Sequence, residues 1–516
     1  MAPTHALRRD NGLAILHRER ATSVSVAIYR LTRWLAPCRG TALVLLCGFL
    51  ASVQLVGCST ESLPQSPSVL LVTFDTLRAD HVGAYRRSNR SSDDRSNPSR
   101  LDTPGLDALA ARGMLFENAI AASSLTVPAH VSIMTGRWPR EASIGTRNGD
   151  IRLDETLEIL AERFGSAGYD TAAFIGNFVL NKSVGLDRGF DLYDDEFPSA
   201  ELNRPDYFER VAGDTTERAR DWLSTREPDH PFFLWIHLQD PHGPYTPPSQ
   251  PIEGTDPQDT VLPNDLPDLP IMKGNIGRDG IPAYQALAGA TDPRIYRRRY
   301  AEEIRYAAES FAGILAASDA AAGTRGLVIL ATADHGEALG EDGFYFQHGH
   351  STRPELARVP LLIAGPGIPK GRFTSYVSHV DIAPTLLHLA GLPPLPDARG
   401  VSLVRLGRHD EPPPERWLLC DTNGEVGVYA AGRYVRATGP GALDLARGET
   451  PLTFAALDPE FATTEFSEKV PESARQRILG YLREQVGLET IENLSKADLA
   501  RLQALGYLEN AVEPRD

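Results

Sequence analysis

The apolar run Val69 to Phe74 leads directly into Asp75, and the run Gly326 to Ala331 is followed by Ala333-Asp334-His335-Gly336-Glu337. Carboxylates and an imidazole are the donors a divalent metal takes, and strand ends are where such a site forms. One ending of this kind has a plain explanation, an Asp capping the next helix. Two with compatible donors point to a shared cation. A third segment reads Ser124-Leu125-Thr126-Val127-Pro128-Ala129-His130 and runs on to Gly136. Pro128 suits the first turn of a helix and Gly136 its end, so Thr126 is expected just before a short helix. Backbone N–H groups there can hold an anion. Taken alone, Thr126 reads as the helix cap; beside a cation its hydroxyl becomes a nucleophile.

The elements that must position these groups are short apolar runs without clean alternation: Val69 to Phe74, Phe232 to Leu238, Gly326 to Ala331 and Pro360 to Ala364. Such runs read as strands buried on both faces. Between them lie amphipathic stretches, Leu153 to Ala167 and Tyr300 to Ser318, and the alternation predicts an α/β sheet with helices on both sides. Arg86 to Arg100 and Pro247 to Asp292, rich in turn-forming and polar residues, are expected to be surface insertions. Pro412 to Pro414 marks a boundary. Beyond it Glu425 to Ala430 and Arg433 to Ala437 alternate as a small antiparallel sheet, with helices from about Glu472.

With 516 residues the chain exceeds what one core usually serves, which predicts a large domain and a smaller one. The boundaries are set at 1–58 for a leader, 59–410 for a catalytic domain and 411–516 for a small C-terminal subdomain. A net charge of −16 argues against a nucleic-acid surface, so an anionic substrate must be held locally. The first 57 residues hold seven Arg against two acidic residues, and their apolar run Thr41 to Val56 ends in Leu55-Val56-Gly57-Cys58, like a bacterial lipobox. Export, with membrane anchoring through a lipidated Cys58, is the expectation. The run is shorter than the roughly 20 residues a spanning helix needs. Cys420 is then left without an intramolecular partner.

Six blocks together resemble the sulfatase family. They are Val72-Thr73-Phe74-Asp75-Thr76-Leu77-Arg78-Ala79-Asp80-His81, Thr103 to Leu109, Thr135-Gly136-Arg137-Trp138-Pro139, Asp240-Pro241-His242-Gly243-Pro244-Tyr245, Ala333 to Glu337 and Val359-Pro360-Leu361-Leu362. Their order and spacing cover about Ser68 to Leu403. The resemblance implies an alkaline-phosphatase-like α/β/α sandwich with a mostly parallel sheet and a smaller C-terminal α+β subdomain. It also implies Asp75, Asp334 and His335 as metal ligands, with Thr126 in the nucleophile position and its oxygen on the same cation.

The chain departs from that family in informative ways. Sulfatases carry Cys or Ser in Cys-x-Pro-x-Arg and oxidise it to formylglycine, whereas here the motif is Thr126-x-Pro128-x-His130. Oxidised threonine would be a ketone, so formylglycine chemistry is excluded at this position. The family's Gly-Lys-Trp-His segment appears as Gly176-Asn177-Phe178-Val179, without its sulfate contacts. Asp334-His335 replaces the usual Asp-Asn pair, and an imidazole ligand favours zinc or manganese over calcium or magnesium. These departures resemble the nucleotide pyrophosphatase/phosphodiesterase branch. That likeness implies Asn148 as a phosphate contact and His130 near the substrate. It also raises a second metal, with Asp240, His242 and His348 as the nearest candidates, although the Asp-to-His spacing is shorter. His242 and His348 alternatively protonate the leaving group. Asp381 reads as a helix cap and is left out of the site.

The reading is therefore a metal-dependent hydrolase of sulfate or phosphate esters with Thr126 as nucleophile, phosphate mono- or diesters slightly preferred. Two rivals share the residues: an envelope phospho-group transferase of the same superfamily, and a non-catalytic glycan-binding lipoprotein.

Overall fold

In the computed structural model the described residues are 66–86, 101–144, 152–227, 229–248, 267–408, 416–422, 424–438, 452–458, 461–463, 467 and 469–486. The leader with Cys58, the segment 87–100, Asn148 and the prolines 412–414 lie outside them.

Nine strands form the central sheet: β1 Ser68–Phe74, β2 Met114–Ile120, β3 Asp170–Ile175, β4 Leu192–Asp194, β5 Phe232–Leu238, β6 Leu327–Ala333, β7 Arg358–Val359, β8 Leu361–Ala364 and β9 Gly371–Ser378. β4, β3, β5, β1 and β6 lie side by side in that order, all parallel. β8 pairs antiparallel with both β6 and β2, and β9 pairs parallel with β2. Only Pro360 separates β7 from β8, because proline has no N–H to give the ladder.

The β5 sequence Phe-Phe-Leu-Trp-Ile-His-Leu shows why both faces are covered. Phe233 stacks on Phe164 of α3 (Leu160–Ser166), and Trp235 lies against His130 of α2 (Thr126–Thr135). Phe232 alternates to the other face and meets Trp222 of α4 (Ala212–Thr225). On β1, Phe74 meets Phe311 of α5 (Pro293–Ala322) edge to face at 5.6 Å between centroids, and α1 (Pro104–Arg112) packs against α5. Successive side chains point to opposite faces, so an all-apolar run suits a strand with helices above and below. The predicted sandwich is the one observed.

The helix predicted over 153–167 is shorter than expected. Arg152 and Leu153 pair with Ser143 and Ile144, and the Asp154 carboxylate accepts the Thr156 N–H at 2.9 Å, so helix begins only at Leu160. The later half of the Pro247 to Asp292 segment is not a surface insertion. Ile281, Tyr284 and Gln285 are buried, and both Tyr284 and Gln285 donate to the Phe346 carbonyl at 3.1 Å. Its aromatic and apolar residues give it enough area to pack despite the prolines.

C-terminal to this core, Leu418–Thr422, Glu425–Ala430, Arg433–Thr438 and Leu452–Ala456 form a four-stranded antiparallel sheet. The helix Glu472–Val486 packs on it. Asp421 joins this subdomain to the main sheet: its N–H donates to Ala122 O at 2.9 Å, and its carboxylate receives Arg140 Nη2 and Tyr481 Oη, each at 2.8 Å.

Candidate metal and nucleophile site

Register alone brings two of the expected ligands together. Phe74 lies opposite Ala333, and the ladder continues one step beyond the strands: Asp75 N–H donates to Leu238 O and Asp334 N–H to Phe74 O. Asp75 and Asp334 therefore leave adjacent strand ends side by side.

Each ligand has one polar atom committed to the protein and one left over. Asp334 Oδ1 accepts the N–H of Thr76 at 3.1 Å and of His335 at 2.7 Å, while Oδ2 is buried without a partner. Asp75 Oδ2 accepts Asn177 Nδ2 at 3.0 Å, while Oδ1 is buried without a partner. His335 Nδ1 lies 3.0 Å from Gly336 O, which places the ring proton there and leaves the Nε2 lone pair uncommitted. Around His335 Nε2 stand Thr126 Oγ1 at 3.4 Å, Asp334 Oδ2 at 3.4 Å and Asp75 Oδ1 at 3.9 Å. A tetrahedral ion with bonds of about 2.0–2.1 Å has donor-to-donor edges of roughly 3.3 Å, so the donor set fits one divalent cation. Thr76 sits at φ 56°, a costly conformation for a β-branched residue, and this aims its N–H at Asp334. Tyr300 holds that turn by donating to Thr76 O at 2.7 Å.

Asp75, Asp334 and His335 are fully buried. Burial, then the Asp334 charge, raises Asp75 well above the usual carboxylate range. Burial pushes Asp334 up to about 8 and His335 down to about 4. Desolvation penalises every charge here, so two facing carboxylates require a positive partner to stay ionised.

Thr126 opens α2 with its hydroxyl on a cavity of about 360 Å³, which His242, His348, Asn177 and Arg204 also line. A larger cavity, about 540 Å³, shares no lining residue with it and contains none of these groups. His348 Nδ1 lies 3.3 Å from Glu337 Oε1, and its ring packs against His335 and His242, with centroids 4.5 and 5.1 Å apart.

Two residues expected at the site are placed elsewhere. His130 is fully buried behind Thr126, with Nδ1 2.8 Å from Thr126 O and Nε2 3.0 Å from Thr73 Oγ1. It is not among the residues lining the cavity: Nδ1 braces the Thr126 turn and lies 4.0 Å from Asp334 Oδ2, while Nε2 ties the ring to β1. Among the described residues the ligand atoms of Asp75, Asp334 and His335, and those of His130, His237 and Asp334, lie close enough to share an ion, and Asp240 is in neither group. Its carboxylate accepts the Ala212 N–H at 2.6 Å at the start of α4. Asn148 lies outside the described residues.

The sequence reading passed over Asn177 as a ligand brace, and over His237 and Arg204. His237 Nε2 lies 3.7 Å from Asp75 Oδ2, and neither ring nitrogen has a hydrogen-bond partner. Its signal was one imidazole in an otherwise apolar strand. Arg204 sits in a hairpin, Ser199–Glu201 with Arg204–Glu209, that carries no motif.

Known proteins resemble the chain in sequence and fold. A sulfatase from Formosa agariphila is 25% identical over 424 residues, covering 70% of this chain and 78% of its own. A Delta 4,5-hexuronate-2-O-sulfatase from Bacteroides thetaiotaomicron is 25% identical over 389 residues, 70% of this chain and 73% of its own. The phosphonate monoester hydrolase structure of Agrobacterium radiobacter superposes with a TM-score of 0.56 at 18% identity, over 85% of this chain and 96% of its own, a likeness of fold. The sulfatase family model matches residues 67–392, and the chain belongs to the sulfatase family of the alkaline-phosphatase superfamily.

Proposed function

We propose that the protein is a cation-dependent hydrolase of sulfate or phosphate esters in which the unmodified Thr126 hydroxyl is the nucleophile. The observation that carries this reading is the convergence of Thr126 Oγ1, Asp334 Oδ2 and Asp75 Oδ1 within 3.4–3.9 Å of His335 Nε2. A divalent ion held by Asp75, Asp334 and His335 would supply Lewis acidity at the ester oxygens and lower the pKa of the threonine hydroxyl. An imidazole beside two single carboxylate oxygens suits zinc or manganese better than calcium or magnesium.

The chain's own groups account for the remaining work. Thr126 Oγ1 gives up its proton and bonds to sulfur or phosphorus as the bond to the leaving oxygen breaks, giving a threonine ester. His242 and His348 line the cavity beside it; burial keeps both rings neutral, so one of them can take that proton and then pass it to the departing oxygen. Water then attacks the threonine ester and releases sulfate or phosphate along with the free hydroxyl. His130 holds the Thr126 carbonyl, so the hydroxyl starts from one position.

The superfamily fold hosts both ester types, and fold alone does not choose between them. The Thr-x-Pro-x-His motif makes phosphate mono- and diesters the first substrates to assay. Thr126→Ala is expected to lower kcat/KM for every ester the protein turns over by at least about 1000-fold, with metal content unchanged within about twofold. Full activity in that variant would overturn the mechanism. Metal-free purified protein that takes up no divalent ion on dialysis would instead favour a non-catalytic glycan-binding role.

A further inference from the structure

Taking the site as an ester hydrolase, we propose that Arg204 receives a second anionic group on the leaving-group side of the substrate, a carboxylate or further oxyanion borne on a ring.

Arg204 is held as few surface arginines are. Its Nε and Nη2 donate to Glu201 at 2.5 and 2.7 Å, and Glu201 is only 5% exposed. Its guanidinium carbon lies 4.3 Å from the Tyr207 ring centroid and 4.4 Å from that of Tyr284. Asn203, at the hairpin turn, donates to the Tyr284 and Ala286 carbonyls at 2.8 Å each, which fastens the hairpin to the packed segment beside it. The base of the hairpin bridges Asn177, the residue bonded to Asp75. Little rotamer freedom remains to be lost when a ligand binds, so a contact made here keeps most of its energy.

One edge of the guanidinium is uncommitted. Arg78 and Arg210 spend all three nitrogens on protein acceptors. Arg204 Nη1 has no hydrogen-bond partner among the described residues, and its side chain lines the cavity that contains Thr126. Its charge is felt there, since after burial it is a cause of the lowered proton affinity of His348 and, behind His348, of His242. The Thr126 end of the cavity takes the ester. An arginine on the wall of the same cavity, not bonded to Thr126, fits a second oxyanion through charge-assisted hydrogen bonds. Tyr207 and Phe178, 41% and 38% exposed, line the cavity with Arg204 and offer ring faces to a cyclic leaving group.

The test uses the metal-loaded protein and aryl esters of whichever type it hydrolyses, with 4-carboxyphenyl, 4-sulfophenyl and 4-(methoxycarbonyl)phenyl leaving groups. The readout is kcat/KM for each acid divided by kcat/KM for the neutral methyl ester, compared between wild type and Arg204→Met so that leaving-group electronics cancel. The expected fall in this preference is about 10- to 100-fold, the range of a hydrogen bond to a charged group. A loss confined to the carboxylate assigns a ring acid, and equal losses assign any second oxyanion. A ratio unmoved within about twofold overturns the proposal. Glu201→Gln/Arg204→Met repeats the measurement without a buried unpaired carboxylate, should the single variant fold poorly. If no ester is turned over, the hydrolase reading fails by itself. The same ratio is then read by calorimetry with 4-carboxyphenylphosphonate and its methyl carboxylate ester.

Discussion

Asn177 and Asp75, 102 positions apart in sequence, meet through a 3.0 Å hydrogen bond that occupies Asp75 Oδ2 and turns Oδ1 toward His335. The bond orients the carboxylate and offsets part of the cost of its burial. Braces behind metal ligands typically change affinity 10- to 100-fold. Asn177→Ala is expected to weaken divalent-ion binding by about that factor, measured by chelator competition. Unchanged affinity would show that Asp75 needs no brace.

Thr73 carries a relay behind the nucleophile. Trp235 Nε1 donates to its hydroxyl at 3.1 Å, and that hydroxyl lies 3.0 Å from His130 Nε2. Burial lowers the His130 pKa to about 3, so the ring is neutral, and the hydroxyl sets which nitrogen faces the Thr126 carbonyl. Thr73→Val strands two buried polar groups, each costing about 1–3 kcal/mol. The variant is expected to unfold at a lower temperature and to lose kcat more than KM is raised.

Stability should depend on pH with opposite signs at the two ends, which thermal melts can follow. His130, His348 and His379 have folded pKa values of about 3, so the unfolded chain binds protons first and stability falls as pH drops from about 6.5 toward 3. Asp334 and Glu337 are raised to about 8, so without a cation their contribution is full below about 4 and lost as pH rises toward 8. Chelator-treated protein is expected to melt lower at pH 8 than at pH 6. Restoring zinc or manganese should remove the alkaline loss, since the ion favours the ionised Asp334.

Cys58 lies outside the described residues, and among those described no helix is long and apolar enough to cross a membrane. Anchoring as a lipoprotein therefore rests on the lipobox-like Leu55-Val56-Gly57-Cys58. Cys58→Ser is expected to move the protein from the membrane to the soluble fraction when expressed in a bacterium. An unchanged distribution would remove the lipid anchor from the account.

Much of the scaffold was readable because strand burial on two faces leaves a plain trace. Phe232–Leu238 was predicted to the residue, and Ser68–Phe74 was missed by one. Asp75, Asp334 and His335 stood out because polar groups follow directly on apolar runs. Asp381 precedes the helix Ile382–Leu389 as expected but does not cap it with its side chain: Oδ2 accepts the Ser378 N–H at 2.9 Å, and Oδ1 accepts the Val401 N–H and Arg416 Nη2, each at 2.8 Å. The helix expected from Leu153 failed because its polar pattern equally suits the turn that Asp154 makes.

By itself the sequence determined the sheet and singled out Asp75, Asp334, His335 and Thr126 as candidates for the site, since each follows from residue type and immediate neighbours. Only the tertiary structure decided what each polar group faces. Parallel register set Asp75 beside Asp334, Thr73 and Thr126 O claimed the two nitrogens of His130, the Ala212 N–H took up Asp240, and Arg204 was carried to the Thr126 cavity. A side chain's role depends on which partner satisfies it when water is excluded, and those partners lie tens to hundreds of residues away along the chain.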